Sequence, residues 1–203
     1  MNIGFYYYNV CLNGRWGVAD NNGVETIPCI YSSPLRHIGL GNKDDDQLVP
    51  ANLFDKWGYI DLNGVIKIPF IFDDAECFSS GLGAVKIDGK WGFIKTSGEW
   101  AIQPQFDNAG FGFKYGFAII KQNAKWGVID ENGMVVVPFI HDNNCIQISN
   151  LDINNSNIRG GACVELTINN KKGLLSRDGR LLIPVLFDEV KIISSGIAPV
   201  KKK

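Results

Sequence analysis

Apolar and polar residues alternate along this chain in short runs, and each run is closed by a cluster of Asp, Asn, Ser or Gly. No apolar periodicity of three to four residues lasts long enough for a helix, so the elements predicted are short strands joined by tight turns. In Trp57-Gly-Tyr-Ile-Asp-Leu-Asn-Gly64-Val-Ile-Lys-Ile-Pro69 two apolar runs flank a polar tip ending in Gly64. Such a tip supplies the positive φ of a hairpin, which makes the flanking runs antiparallel neighbours, strand a and strand b. Pro69 can donate no ladder hydrogen bond, so strand b is expected to stop or to lie at an edge there. Beyond it, Gly81-Leu-Gly-Ala-Val-Lys86 predicts a third strand, c, which runs through the Asp88-Gly89 turn into the next Trp-Gly.

The pattern then recurs. Units begin at Trp16-Gly17, Trp57-Gly58, Trp91-Gly92, Trp126-Gly127 and, in worn form, Lys172-Gly173. Seven residues on come the turn glycines Gly23, Gly64, Gly98, Gly133 and Gly179, followed by Pro28, Pro69, Pro104, Pro138 and Pro184. Ile27, Ile68, Ile102, Val137 and Ile183 stand four residues past each turn glycine, a core position by their uniform apolar character. An aromatic-acid pair follows in Phe72-Asp73, Phe106-Asp107 and Phe187-Asp188, with Tyr31-Ser32 and His141-Asp142 as departures. Fixed spacing over five copies marks a repeat array. Glycine after each tryptophan leaves flat backbone for an indole to pack on, so stacked indoles are the expected spine of the core.

This combination resembles the family of WG β-repeat proteins over essentially all of residues 5 to 201. The resemblance implies an all-β fold: a tandem array of five three-stranded antiparallel repeats in one domain, 1–203, curled as an open superhelix, with a closed propeller-like ring as the alternative. The last copy has Lys172 in the tryptophan position and Arg177-Asp178-Gly179 in its turn, and the first has Glu25 where Ile66, Trp100, Val135 and Leu181 stand later. Both ends are expected to be caps.

Composition narrows the class. At 203 residues and 45 % apolar content the chain can bury one continuous core, yet no run approaches the length needed to cross a bilayer. The start, Met-Asn-Ile-Gly-Phe-Tyr-Tyr-Tyr, lacks the basic and apolar regions of a signal peptide, and a cytoplasmic location is expected. Cys11, Cys29, Cys77, Cys145 and Cys163 are odd in number and widely spaced, which argues for reduced thiols over a disulfide framework or a zinc site. No cofactor or metal is expected. Asp44 to Glu76 holds eight acids and two lysines, a negative field able to steer a basic partner. Concentrated positive charge is confined to Lys201-Lys202-Lys203, so nucleic acid is not expected as a partner.

Two interruptions of the repeat are candidate recognition loops. One falls around Pro34 to Gln47 and includes Asp44, Asp45 and Asp46; the other spans Asn143 to Gly161. Trp100, Phe111 and Tyr115 are aromatics beyond the repeat consensus, and with the three aspartates they are the candidate partner-binding residues. Trp100 reads first as a bulkier core filler and second as an exposed anchor, because its position is apolar in most copies. Catalytic chemistry has thin support: Cys29 and His37 could be drawn as nucleophile and base of a hydrolase, but no third orienting residue is indicated. The expected function is therefore non-catalytic protein binding. Some proteins resembling this family stand beside bacterial toxins, which implies an immunity protein that occludes a basic toxin domain. A general scaffold or sensor, or a carbohydrate binder using Trp100 and Tyr115, is the alternative.

Overall fold

A computed structural model of the chain describes residues 7–36, 48–142, 145–150, 163–176, 178–190, 192–193 and 196–197. Asp44, Asp45, Asp46 and His37, and most of both insertions, lie outside the described residues. The chain divides into two compact units, residues 1–105 and 106–203.

Every described element is a strand, and each sheet is a simple antiparallel meander. The first unit contains β1 (Tyr8–Leu12), β2 (Arg15–Ala19) and β3 (Glu25–Tyr31), then β4 (Val49–Leu53), β5 (Lys56–Ile60) and β6 (Ile66–Phe72). Its third sheet is β7 (Asp74–Ser79), β8 (Leu82–Ile87), β9 (Lys90–Lys95) and β10 (Trp100–Phe106), which ends at the unit boundary. The second unit holds β11 (Phe113–Lys114), β12 (Phe117–Gln122), β13 (Lys125–Asp130) and β14 (Val135–His141). It continues with β15 (Ile146–Asn150), β16 (Cys163–Ile168), β17 (Lys171–Ser176) and β18 (Leu181–Phe187), then the short pair β19 (Ile192–Ile193) and β20 (Gly196–Ile197). Among the described residues no sheet closes on itself into a barrel.

Two sheets have three strands, in the order c, a, b. Three others carry a fourth: β7 and β11 come from a stretch that the sequence pattern marks only as a turn, and β15 from the start of the second insertion, where buried Ile146 and Ile148 make a core strand within the expected recognition loop. The reason is visible in β7: Ala75 and Phe78 are its buried residues, three positions apart, because an irregularity between them breaks the period of two. Without strict alternation such a strand leaves no period-two signature.

The core also differs from a spine of indoles. Trp16, Trp57, Trp91 and Trp126 are only half-buried. The fully buried residues are those two and three positions later, such as Val18, Tyr59-Ile60, Phe93-Ile94 and Val128-Ile129, together with Ile27, Ile68, Ile102, Val137 and Ile183. In the first unit these form one cluster around Val18, Ile27, Tyr31, Val49 and Ile60 and another around Tyr59, Ile68, Phe72, Phe78 and Val85. The second unit's main cluster joins Phe117, Val128, Val137, Ile146, Val164 and Leu175. Indoles line the margins of these clusters, where their area is half used.

Candidate functional site

The tryptophan-glycine step and the proline twelve or so residues later are two halves of one device. In the second sheet Trp57 pairs with Phe72 and Tyr59 with Ile68, so Pro69, Phe70 and Ile71 on strand b face the single residue Gly58 on strand a. The same count holds across Gly17, Gly127 and Gly173. Strand b therefore arches over the glycine as a bulge. A Cβ on Gly58 would lie 2.6 Å from the Ile68 carbonyl oxygen and 2.8 Å from the Pro69 carbonyl carbon. For Gly17 the nearest atoms are Ile27 O at 2.5 Å and Cys29 N at 2.7 Å, and for Gly173 Ile183 O at 2.6 Å. In every copy the glycine makes room for crossing backbone, and at Gly92 it seats an indole as well, since a Cβ there would lie 2.7 Å from Ile102 O and 2.9 Å from Trp100 Cζ3. Strand b does not stop at the proline: it runs on to the aromatic, buried at Tyr31, Phe72 and Phe106 and half-buried at His141 and Phe187, and it is an edge strand in all five main sheets.

Each unit is then fastened at both ends. At the a–b turn, the amide of Gly64 donates to Asp61 O and the Asp61 carboxylate accepts the amides of Asn63 and Val65. Asp20 does the same for Asn22 and Val24, and these backbone donors hold the Asp20 carboxyl below its ordinary range. At the other end the acid of the aromatic-acid pair meets the lysine ahead of the tryptophan: Lys56 with Asp73 at 2.7 Å, Lys125 with Asp142, and Lys171 with Asp188. Asp73 is held below the usual carboxylate range first by the Lys56 hydrogen bond, with amides of the Asp88-Gly89 turn adding to it. In the worn copy, Lys172 replaces tryptophan and pairs at 2.7 Å with Glu165, which is only 8 % exposed.

With these roles assigned, what packing leaves unexplained stands out. The bulge ends on an aliphatic residue turned to solvent, seven past four of the five turn glycines: Ile30, Ile71, Ile140 and Leu186, 45 to 65 % exposed, with Gln105 at that place in the third copy. Two past the turn glycine, Ile66, Val135 and Leu181 are likewise exposed, although an apolar position in four copies reads as core from sequence. The one signal against that reading was Glu25, a charge tolerated at the same place in the first copy.

The sequence candidates fall in different surroundings. Trp100 is half-buried and meets Phe72 edge-on with ring centroids 6.0 Å apart, in a packing role. Phe111 is 99 % exposed between the buried Ala109 and Phe113, and Tyr115 is 39 % exposed beneath the Lys114 ammonium. The acid-rich segment is largely spoken for. Asp61 pairs with Lys67, Asp73 with Lys56, and Arg36 takes Glu76 at 3.1 Å and Asp74 at 3.8 Å while its guanidinium lies 4.4 Å from the Trp57 ring centroid. Asp55 is the exception among the described acids of the segment. The start of the first insertion is pinned as well, by reciprocal 2.9 Å hydrogen bonds between the Asn9 side chain and the Leu35 backbone.

Burial pushes the Cys29 thiol up, the reverse of the activation a nucleophile needs, and its Sγ lies 3.8 Å from the Val10 carbonyl. Cys77 is pushed up to about 11 by the same cause. Among the described residues no three His, Cys, Asp or Glu side chains converge as a metal site, and no helix is long and apolar enough to cross a membrane.

No curated protein matches the chain. The family described as WG containing repeat matches residues 57–91, 91–126, 126–143 and 173–203, which begin at the tryptophan-glycine steps Trp57, Trp91 and Trp126 and at Gly173. By the match over more than half its length, the chain belongs to the family of WG containing repeat proteins.

Proposed function

We propose that the protein is a non-catalytic binding module that docks a protein partner on the exposed aliphatic residues of strand b. The observation that supports this is the recurrence of Ile30, Ile71, Ile140 and Leu186 at one register position, solvent-facing, in four of the five main sheets. None of them is part of the core, and each stands on the outward face of the segment that arches over glycine. Proline and a bulge on an edge strand discourage pairing with another strand. The partner is thus recognised through side chains, an apolar surface meeting an apolar surface, as at the centre of protein interfaces.

Work in the cytoplasm is part of this proposal, as is a narrower form in which the partner is a toxin domain held by occlusion. The narrower form draws on the acids of 44–76; since Asp61, Asp73, Asp74 and Glu76 already have cations, Asp44, Asp45 and Asp46, with Asp55, would carry the attraction. Recovery of partners from the protein's own cells, comparing wild type with Ile71→Asp and Ile140→Asp, tests the general reading: a stoichiometric protein lost in either variant supports it, and equal recovery in both refutes it. Co-expression with the toxins encoded beside the gene tests the narrower one, and absence of protection against all of them ends it.

A further inference from the structure

We propose that Phe54 and Asp55, at the tip of the β4–β5 hairpin, form a recognition tip: the Phe54 ring enters an apolar pocket of a protein partner and the Asp55 carboxylate meets a lysine or arginine at its rim. This rests on the protein-binding reading above and names a second element of the same surface chemistry.

The five c–a hairpins share a two-residue turn with both φ angles positive. The pairs are Asn13-Gly14 (51°, 74°), Phe54-Asp55 (52°, 61°), Asp88-Gly89 (50°, 76°), Asn123-Ala124 (51°, 63°) and Asn169-Asn170 (49°, 61°). This is the geometry for which Asn-Gly and Asp-Gly are the favoured dipeptides, because asparagine, aspartate and glycine enter the left-handed region at least cost. Four copies keep Asn or Asp at the first position, whereas the second holds a phenylalanine there. A bulky aromatic with a positive φ is an outlier that the local fold does not ask for. The fold does not use the ring either, since Phe54 is 78 % exposed. Strain and apolar exposure thus coincide at Phe54, more fully than at Tyr115 (φ 56°, 39 % exposed), and strain of this kind concentrates where binding requires it.

The neighbouring charge sets the chemistry. Lys56 is held by Asp73 at 2.7 Å, while among the described residues Asp55 has no ion-pair partner. The second turn residue in the other copies is Gly, Ala or Asn, never charged. An exposed ring followed by a free carboxylate fits a pocket with a cationic rim, and the carboxylate opposes docking on an anionic lipid surface.

The test uses the full chain with a photo-crosslinking benzoylphenylalanine at position 54 and, separately, at positions 71, 140 and 88, in the protein's own cells. The expected result is one protein joined at 54 and not at 88, whose affinity for the purified chain falls about tenfold or more in Phe54→Asn and in Asp55→Asn. Phe54→Asn is also expected to melt at or above the wild-type temperature, because asparagine relieves the turn, so lost binding cannot be lost folding. A partner captured at 71 or 140 whose affinity is unchanged by both variants overturns the tip and leaves the strand-b reading standing. No adduct at 54, 71 or 140 overturns both. Sedimentation with phosphatidylcholine vesicles that depends on Phe54 overturns the tip in favour of a membrane wedge.

Discussion

Replacing Gly58 with alanine tests the steric core of the repeat. The added Cβ would lie 2.6 Å from Ile68 O where ordinary contact begins at 3.4 Å, and the obstructing atoms are backbone, so the arch of strand b must retreat by about 0.8 Å. Overpacking of this kind costs about 1–3 kcal/mol, and displaced ladder bonds near Tyr59 and Ile68 add about 0.5–1.5 kcal/mol each. The stiffer unfolded chain returns about 0.4–1 kcal/mol. A net loss of about 1–5 kcal/mol is expected, read from urea unfolding and from faster amide exchange in β5 and β6. Gly64 is the control, because its φ is +79° but a Cβ there meets only the Ile27 and Pro28 side chains at 3.5 Å and beyond. Its constraint is conformational, so asparagine, which tolerates that φ, should cost less than alanine at position 64. At position 58, where space is the constraint, asparagine should cost more than alanine. A neutral Gly58→Ala, or the same ranking of alanine and asparagine at both positions, would refute the steric account.

Further outcomes follow from the buried polar groups and the clamps. Tyr59 is fully buried with its hydroxyl donating to Glu76 O at 2.7 Å, and burial holds its pKa well above 10; Tyr59→Phe should cost about 1–3 kcal/mol in thermal unfolding by stranding the Glu76 carbonyl. Lys172→Met removes the cation from buried Glu165 and should cost about 1–3 kcal/mol, most of it recovered by adding Glu165→Leu. The Asp73 and Asp142 carboxyls are depressed below the ordinary 3.8 by hydrogen bonds from Lys56 and Lys125, so their contribution is present above that value and is lost as pH falls through the lower folded value. Asp73→Asn with Asp142→Asn should therefore flatten the loss of urea resistance on acidification below pH 3.8 while lowering resistance at neutral pH.

What the sequence made legible was whatever depends on spacing. Glycine and proline recur at fixed offsets, so the hairpins at Gly23, Gly64, Gly98, Gly133 and Gly179, the order c, a, b and the all-β class can be read directly. Burial was harder, because an apolar residue at a repeated position has two explanations. Ile68 and Ile71 look alike in sequence, yet Ile68 is buried and Ile71 exposed, because residues three apart lie on opposite faces of a strand whose Ile68, Phe70 and Phe72 face inward. A register slip hid β7, where Ala75 and Phe78 point inward three residues apart. Tryptophan was over-read as core because of its size, while the smaller residues after it do that work. Phe54 gave no signal because its peculiarity is a dihedral angle, visible only beside the other four turns.

The most direct test of the binding account is a hydrogen-exchange footprint of the protein bound to its isolated partner. The account predicts slowed exchange in the bulge segments that carry Ile71 and Ile140, around residues 69–72 and 138–141. Protection absent from both segments, with the complex intact, would contradict it.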